Sequence, residues 1–303
     1  MQSNERKMQR IAVIGFGEAG GIVGSDLVQQ GCAVFAYDIL IATAARAVLE
    51  SKGRAANVRL TESLAEAIEN ADLVISAVTA RAAREVAVEA AKTIRHGQVF
   101  LDINSVSPDT KRANARIVEL TGCDYVDAAV MAPVPPQRLK VPMLLGGVHA
   151  TMIAEQLRRL GMNATAVSDQ VGVASAIKMC RSIMIKGIEA LTVESLFAAR
   201  RYGAEDAVLA SLHATFPSLG FNADFPEYLI SRVAEHGRRR AAEMREVART
   251  LEDVSLSPFM AAATAHRHEQ LVDAMRVAGY EYDAKKKFSW RELADALTST
   301  DAT

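Results

Sequence analysis

The stretch Ile11-Ala12-Val13-Ile14-Gly15-Phe16-Gly17-Glu18-Ala19-Gly20 decides the fold of the first half of the chain. It joins an apolar, β-branched run to the pattern G-x-G-x-x-G, and an apolar helical segment begins near Gly21. In such a pattern the first glycine permits a tight turn, the second lets the backbone approach a pyrophosphate, and the third lets helix and strand pack closely. The unpaired N–H groups at the start of the helix favour an anion. The stretch therefore predicts a dinucleotide-binding strand, turn and helix, whereas the competing interpretation is a glycine turn in a sheet that binds no nucleotide.

An acidic residue follows at the distance that a dinucleotide site requires. Asp38 ends a second apolar run, eighteen positions after Gly20, and Ile39-Leu40-Ile41 after it supply no cation. We expect its carboxylate to accept hydrogen bonds from the adenosine ribose and to repel a 2′-phosphate, so the predicted cofactor is NAD, with NADP disfavoured. The predicted cofactor-binding residues are Gly15, Phe16, Gly17, Glu18, Ala19, Gly20, Asp38, Val78, Thr79 and Asn104.

Short β-branched runs alternate with helical stretches through the first half, which predicts a mostly parallel, doubly wound sheet of the Rossmann type. The predicted strands are Ile11–Ile14, Ala33–Tyr37, Leu73–Val78, Val99–Asp102, Tyr125–Ala129 and Met143–Leu145. After Gln170, helical spacing continues to the C-terminus, with long helices expected over about 173–200 and 227–251. The prediction is a Rossmann domain over 1–169 and an all-helical domain over 170–303.

Composition excludes several classes of partner. A formal net charge of −1 gives no broad attraction to nucleic acid or anionic lipid. No apolar targeting segment precedes the first strand, so we expect a cytoplasmic protein. The three cysteines, Cys32, Cys123 and Cys180, lack C-x-x-C spacing and are expected to be reduced core thiols. His266 and His268 lie two apart, which does not place two ligands on one helix face, so no metal is predicted.

Four segments resemble the β-hydroxyacid dehydrogenase superfamily, which includes 3-hydroxyisobutyrate and 6-phosphogluconate dehydrogenases. They are the glycine pattern at 15–20, Asp102–Pro108 (similar to D-x-S-T-x-x-P), Asp127–Val130 before Leu145-Gly146-Gly147, and Gly172 followed by Lys178. Met131–Pro136, Lys178–Ser182 and Arg239–Met244 resemble a branch that carries a C-terminal domain of unknown function. The resemblance implies a small-molecule substrate, an active site in the cleft between the two domains, and a homodimer formed through the helical domains.

A polar stripe marks the first long helix. At 100° per residue, Lys178, Ser182, Lys186 and Glu189 fall in one sector among apolar neighbours, with Arg181 on its flank. Unpaired buried charges are costly, so the stripe either faces a hydrated cleft or pairs within itself. Lys178 matches the superfamily's catalytic lysine in its placement after Gly172, and the neighbouring charge of Arg181 would lower its pKa. The alternative is a lysine that snorkels from a buried helix.

Two positions depart from the superfamily pattern. Ser182 stands where the superfamily usually has an asparagine, and Met131-Ala132-Pro133 replaces a Ser-Gly-Gly that grips the substrate carboxylate. The substrate pocket is therefore expected to differ, with Met131 and Pro133 forming either a rigid apolar wall or a surface turn. The predicted substrate-binding residues are Ser105, Met131, Pro133, Arg181, Ser182, Lys186, Arg239 and Arg240. For the two arginines, the alternatives are a solvated face or salt bridges between subunits.

These observations favour an NAD-dependent oxidoreductase that moves a hydride between nicotinamide and a small hydroxylated or keto substrate, with Lys178 as general acid and base. Two other hypotheses stay open from the sequence. One is an imine reductase or opine-type dehydrogenase that uses another proton donor. The other is a sensor that binds NAD without turnover.

Overall fold

The computed structural model describes residues 8–298; residues 1–7, where the sequence predicts no targeting segment, and 299–303 lie outside that range. The chain forms two compact units, and the division between them falls after Lys178. Within residues 8–298, no helix combines the length and the apolar character that crossing a bilayer requires.

Strands of the first unit form a single sheet. They are β1 (Arg10–Ile14), β2 (Ala33–Tyr37), β3 (Arg59–Leu60), β4 (Leu73–Ser76), β5 (Val99–Asp102), β6 (Asp124–Val130), β7 (Met143–Gly146) and β8 (Ala164–Ser168). The strand order is β3-β2-β1-β4-β5-β6-β7-β8. Only the β6–β7 pair is antiparallel among these described strands. The predicted mostly parallel sheet is confirmed. Two of its strands, β3 and β8, are not predicted from the sequence.

Helices connect the strands and then make up the second unit. They are α1 (Glu18–Gln29), α2 (Arg46–Ala56), α3 (Leu64–Ile68), α4 (Ala83–Ala91), α5 (Pro108–Glu119), α6 (Val134–Gln137), α7 (Ala150–Arg159), α8 (Val173–Arg201), α9 (Glu205–Thr215), α10 (Phe225–Glu252), α11 (Phe259–Val277) and α12 (Trp290–Thr298). The two long helices predicted from the sequence correspond to α8 and α10. The all-helical second half is confirmed.

The sheet is buried on both faces. Ile11 and Val13 of β1 belong to one apolar core, whereas Ala12 and Ile14 belong to another. Successive side chains of a strand point to opposite faces, so each face carries its own core and is covered by helices. This explains why the early strands are continuous apolar runs in the sequence.

The helical unit has separate cores. The larger one includes Val193 and Leu196 of α8, Ile230 and Val233 of α10, and the fully buried Trp290 of α12. Apolar residues at helical spacing account for this packing.

None of the three cysteines is in a disulfide. Cys32 and Cys123 are buried, as expected, but the expectation was wrong for Cys180, which is exposed. Its position on α8 lies on the side of the helix that faces solvent, together with Ile177 and Met184.

Candidate active site

The glycine loop between β1 and α1 is tightly packed at Gly15 and Gly20, whereas Gly17 has free space beside it. Gly15 has a φ of +91° and donates its N–H to the carbonyl oxygen of Tyr37 at 2.8 Å. A Cβ on Gly20 would lie 1.9 Å from the carbonyl oxygen of Gly15. A Cβ on Gly17 would meet nothing within 4 Å. Gly15 therefore makes the tight turn and Gly20 the close packing that the pattern predicts, and the open space at Gly17 would admit a pyrophosphate.

Asp38 is fixed directly beside this loop. Its two carboxylate oxygens accept the N–H of Phe16 at 2.7 Å and the N–H of Leu40 at 3.0 Å. Phe16 itself is buried in the core, whereas Glu18 is exposed and Ala19 is half-buried. The carboxylate thus stands at the end of β2, where an adenosine ribose is expected.

Lys52 is a neighbour of the loop that the sequence reading missed. Its ammonium donates to the carbonyl oxygens of Phe16 at 2.7 Å and Gly17 at 2.5 Å. Burial lowers the pKa of Lys52, and the carboxylates of Asp38 and Glu18 act in the opposite direction. It lies on α2, more than thirty residues after the pattern, so no local spacing could have indicated it.

The carboxyl ends of β4 and β5 are joined by Asn104. Its Oδ1 accepts the N–H of Val78 at 2.7 Å, and its Nδ2 donates to Ser76 Oγ at 2.8 Å. Thr79 follows Val78 and begins the next helical turn. These residues lie at the sheet edge where ligands bind in such folds, as the sequence predicts.

Lys178 and Ser105 are in direct contact. The ammonium Nζ of Lys178 donates to Ser105 Oγ at 2.6 Å, and both residues are half-buried. Ser105 comes three residues after the end of β5, next to Asn104, and Lys178 lies in the second turn of α8. The first unit therefore brings the predicted catalytic lysine to the same sheet edge as the predicted cofactor residues.

The proline-rich turn follows β6. The N–H of Met131 donates to the carbonyl oxygen of Pro142 at 2.8 Å, which closes the turn, and Pro133 precedes α6. Met131 is half-buried, whereas Pro133 is exposed.

In the helical unit, part of the polar stripe is already paired. Lys186 is buried, donates to Ser182 Oγ at 3.2 Å and lies 3.0 Å from Glu243 Oε2. Arg181 and Arg239 are exposed. The stripe thus satisfies at least one of its charges with a partner on α10.

Arg240 is also paired within this unit. Its guanidinium binds both carboxylate oxygens of Glu189 in a buried, bidentate salt bridge, and its Nε lies 2.7 Å from Glu189 Oε2. Burial raises the pKa of Glu189, and Arg240 counteracts that shift. The sequence predicts a substrate contact for Arg240, with a solvated face or a salt bridge between subunits as alternatives. It does not predict the pairing with Glu189.

Beside this salt bridge lies His268, which is fully buried, with its Nε2 3.8 Å from Glu189 Oε2. Within residues 8–298, no group of three histidine, cysteine or acidic side chains is arranged to hold a metal ion.

Two family models match the chain in order. The NAD binding domain of 6-phosphogluconate dehydrogenase matches residues 10–152. A domain of unknown function, DUF1932, matches residues 199–271. The first match covers the glycine loop, Asp38, Asn104 and Ser105.

Three relatives bear on the family. A conserved hypothetical protein from Sinorhizobium meliloti 1021 has a TM-score of 0.79 at 37% identity, over 98% of both chains. A conserved protein of unknown function, described as structurally similar to 3-hydroxyacid dehydrogenases, has a TM-score of 0.69 at 32% identity, over 87% of this chain and 97% of its own. The mitochondrial 3-hydroxyisobutyrate dehydrogenase of Bos taurus is 25% identical over 209 residues, which are 67% of this chain and 60% of that enzyme. The chain therefore belongs to the β-hydroxyacid dehydrogenase superfamily of NAD-binding oxidoreductases, in the branch with the DUF1932 C-terminal domain.

Proposed function

We propose that the chain transfers a hydride between NAD and a small hydroxy or keto substrate, with Lys178 as the general acid and base. The observation that carries this proposal is the 2.6 Å contact between Lys178 Nζ and Ser105 Oγ. It places an amine within reach of a hydroxyl at the sheet edge where Asn104 and Val78 lie. NAD would be held by the open glycine loop and Asp38, and it supplies the hydride acceptor or donor.

Lys178 and Ser105 would have different roles in the reaction. Oxidation of an alcohol requires a base for the hydroxyl proton, and the neutral amine of Lys178 can take it; in the reverse direction its ammonium returns the proton. Ser105 accepts a hydrogen bond from Lys178, and a hydroxyl that accepts still has one proton to donate, here to the substrate oxygen. The pair can therefore orient a C–OH or C=O group.

The substrate class follows from the departures at the pocket. Met131 and Pro133 stand where relatives of this superfamily place a carboxylate grip, so we propose a bulkier or less acidic substrate than a simple 3-hydroxy acid. Arg181, Ser182 and Arg239 are proposed substrate contacts. Lys186 and Arg240 are less suited to this role, because each already pairs with a glutamate.

The test compares Lys178→Met with Lys92→Met, which removes an exposed lysine at the end of α4. Both variants are assayed with NAD and a panel of hydroxy acids that includes 3-hydroxyisobutyrate, by the absorbance of reduced nicotinamide. Loss of a general acid and base is expected to lower kcat of Lys178→Met by about 10²- to 10⁴-fold, with the Kd for NAD nearly unchanged. In the oxidation direction, wild-type kcat/KM should rise with pH as the amine loses its proton. The Lys178→Met variant should lack this rise.

Other outcomes point to the alternatives. A Lys178→Met variant with wild-type kcat would overturn the proposal, and turnover of C=N substrates by that variant would favour an imine reductase. NAD binding without turnover of any compound would favour the sensor. The homodimer implied by the superfamily is a separate proposal, which sedimentation velocity of the full chain tests directly.

A further inference from the structure

A lysine with no assigned role lies in the core of the first unit. Lys111 of α5 is fully buried, and its position in the helix shares a face with Asn114, Ala115 and Val118. A buried ammonium needs charged partners, because removing it from water is expensive. Its Nζ lies 2.9 Å from Asp102 Oδ1 and 3.5 Å from Asp127 Oδ1. Lys111 thus bridges carboxylates from two adjacent strands, β5 and β6.

The first carboxylate holds the turn that carries Ser105. Asp102 ends β5, and its Oδ1 accepts the backbone N–H of Asn104 at 2.9 Å. Its Oδ2 accepts the hydroxyl of Tyr125 at 2.6 Å. Asp102 itself has no exposed surface. The path of residues 103–105 is therefore tied to a buried carboxylate whose charge Lys111 balances.

The second carboxylate holds the start of the helix that carries Lys178. Asp127 Oδ2 accepts the backbone N–H groups of Gly172 and Ser175, each at 3.0 Å. Its Oδ1 accepts the hydroxyl of Ser175 at 2.6 Å. A carboxylate in this position satisfies N–H groups that the first turn of a helix leaves unpaired, and it interacts favourably with the helix dipole. Lys178 lies one turn beyond Ser175.

We propose that Lys111 is a positioning residue: by joining Asp102 to Asp127, its ammonium sets the separation between Ser105 and Lys178. The inference rests on the proposed function of Lys178. Burial of an ion cluster is a poor way to gain stability, since apolar side chains of similar volume often do as well. A fixed geometry for proton transfer accounts for the cluster, because a displacement of about 1 Å at a reacting group can cost about 10²-fold in rate.

The main test is Lys111→Met, which keeps the length of the side chain and removes its charge, with Lys92→Met as the matched exposed control. We expect kcat to fall about 100-fold, with KM and the Kd for NAD within about threefold of wild type. Hydrogen exchange, followed by NMR, should become faster at the amides of Gly172 and Ser175. If Lys111 only stabilised the fold, Lys111→Met would lower the free energy of unfolding without the roughly 100-fold fall in kcat at a nearly unchanged KM.

A second variant keeps the test decisive if Lys111→Met does not fold. Ser175→Ala removes one hydrogen bond to Asp127 and leaves the backbone N–H bonds in place. Its control is Ser231→Ala, which removes an exposed hydrogen bond from the hydroxyl to the carbonyl oxygen of Tyr228 within α10. Ser175→Ala is expected to lower kcat about tenfold and to accelerate exchange at Gly172 to a smaller degree.

The exchange measurement needs no turnover, so it separates two failures. Unchanged exchange at Gly172 and Ser175 in a folded variant would overturn the positioning role, as would wild-type kcat or a loss confined to KM. Full turnover by Lys178→Met would instead overturn the proposed function. The contact of Lys111 with the start of α8, through Asp127, would then be tested by the hydrogen-exchange rates of Gly172 and Ser175 alone.

Discussion

At the scale of single residues, the glycine loop shows two opposite uses of a missing side chain. Gly20 lacks room for a Cβ because the carbonyl oxygen of Gly15 occupies that space. Gly17 has room, and its backbone lies in a region open to any residue. Gly20 is therefore required by the fold, whereas Gly17 is not, and we propose that the space at Gly17 admits the pyrophosphate.

This difference predicts opposite results for two matched substitutions. Gly17→Ala should keep the Tm within a few degrees of wild type but weaken NAD binding about tenfold or more, because the methyl group enters the space for the pyrophosphate. Gly20→Ala should destabilise the protein by several kcal/mol, because backbone atoms must move. Thermal unfolding and NAD titration measure both effects. Tight NAD binding by Gly17→Ala would contradict the placement of the cofactor.

Spacing along the chain predicts residues whose geometry is set locally, whereas Lys178 and Ser105, which are 73 residues apart, are predicted through the family resemblance. The glycines and Asp38 follow from spacing, because turn geometry is local. Lys111 had only a weak signal, a charged residue at a core-facing position of α5. Arg240 is 51 residues from Glu189, and nothing in the sequence pairs them.

At the scale of elements, α8 and α10 are joined by this buried pair. Arg240→Met leaves the Glu189 carboxylate buried without its partner, and we expect a loss of about 3–5 kcal/mol in the free energy of unfolding. The double variant Glu189→Gln/Arg240→Met should recover much of it. Urea unfolding followed by Trp290 fluorescence reports this unit, since Trp290 is the single tryptophan.

Arg239→Met is the control for this prediction. Arg239 is exposed beside Arg240, so its loss should change stability by no more than about 0.5 kcal/mol. If Arg240→Met instead kept wild-type stability and raised only KM, Arg240 would be a substrate clamp, and the structural role assigned to the pair would be wrong.

The packing of α11 against α10 predicts a pH dependence. Burial lowers the pKa of His268 to about 4, and the charges of Arg240 and Lys186 add to the shift. The pKa of a histidine in an unfolded chain is about 6.5. At pH values between the folded and unfolded pKa, the unfolded chain therefore binds more protons than the folded chain. The contribution of His268 is therefore complete above about pH 6.5 and is lost as the pH falls toward 4.

His268→Leu is expected to reduce this dependence. Between pH 7 and pH 5, the wild type should lose about 1–2 kcal/mol more than the variant in urea unfolding followed by Trp290 fluorescence. His266→Leu, which removes an exposed imidazole from the same helix, is the control and should follow the wild type. Equal losses in wild type and His268→Leu would show that the histidine titrates normally in the folded protein.

Element prediction was accurate where the pattern was long. The spacing of apolar residues located α8 and α10 to within two residues at each end, because such helices are held by a continuous apolar face. β3 has two residues and β8 is an edge strand with alternating burial, so neither has the continuous apolar run of a central strand.

At the scale of the whole molecule, each described apolar core lies within one unit. NAD at a hundredfold excess over its Kd should stabilise the unit that binds it by about 2.7 kcal/mol. Hydrogen exchange in β1 should slow accordingly, while the unfolding transition seen by Trp290 should shift less. Equal shifts in both signals would contradict separate stabilisation of the two units.

The fold class could be predicted for the whole chain, because alternating strands and helices give way to helices alone near Gln170. The substrate could not, because specificity depends on side chains gathered from distant positions, and the departures at Met131 and Ser182 remove the pattern that would have named it.

The distribution of the cysteines has a practical consequence. Cys32 and Cys123 are shielded, and burial raises the pKa of Cys123 to about 12, whereas Cys180 is open to solvent two residues after Lys178. A maleimide dye added to the folded native chain would attach at one place. Its emission would then report compounds that bind at this exposed side of α8, so candidate molecules can be screened without an assay for their chemistry.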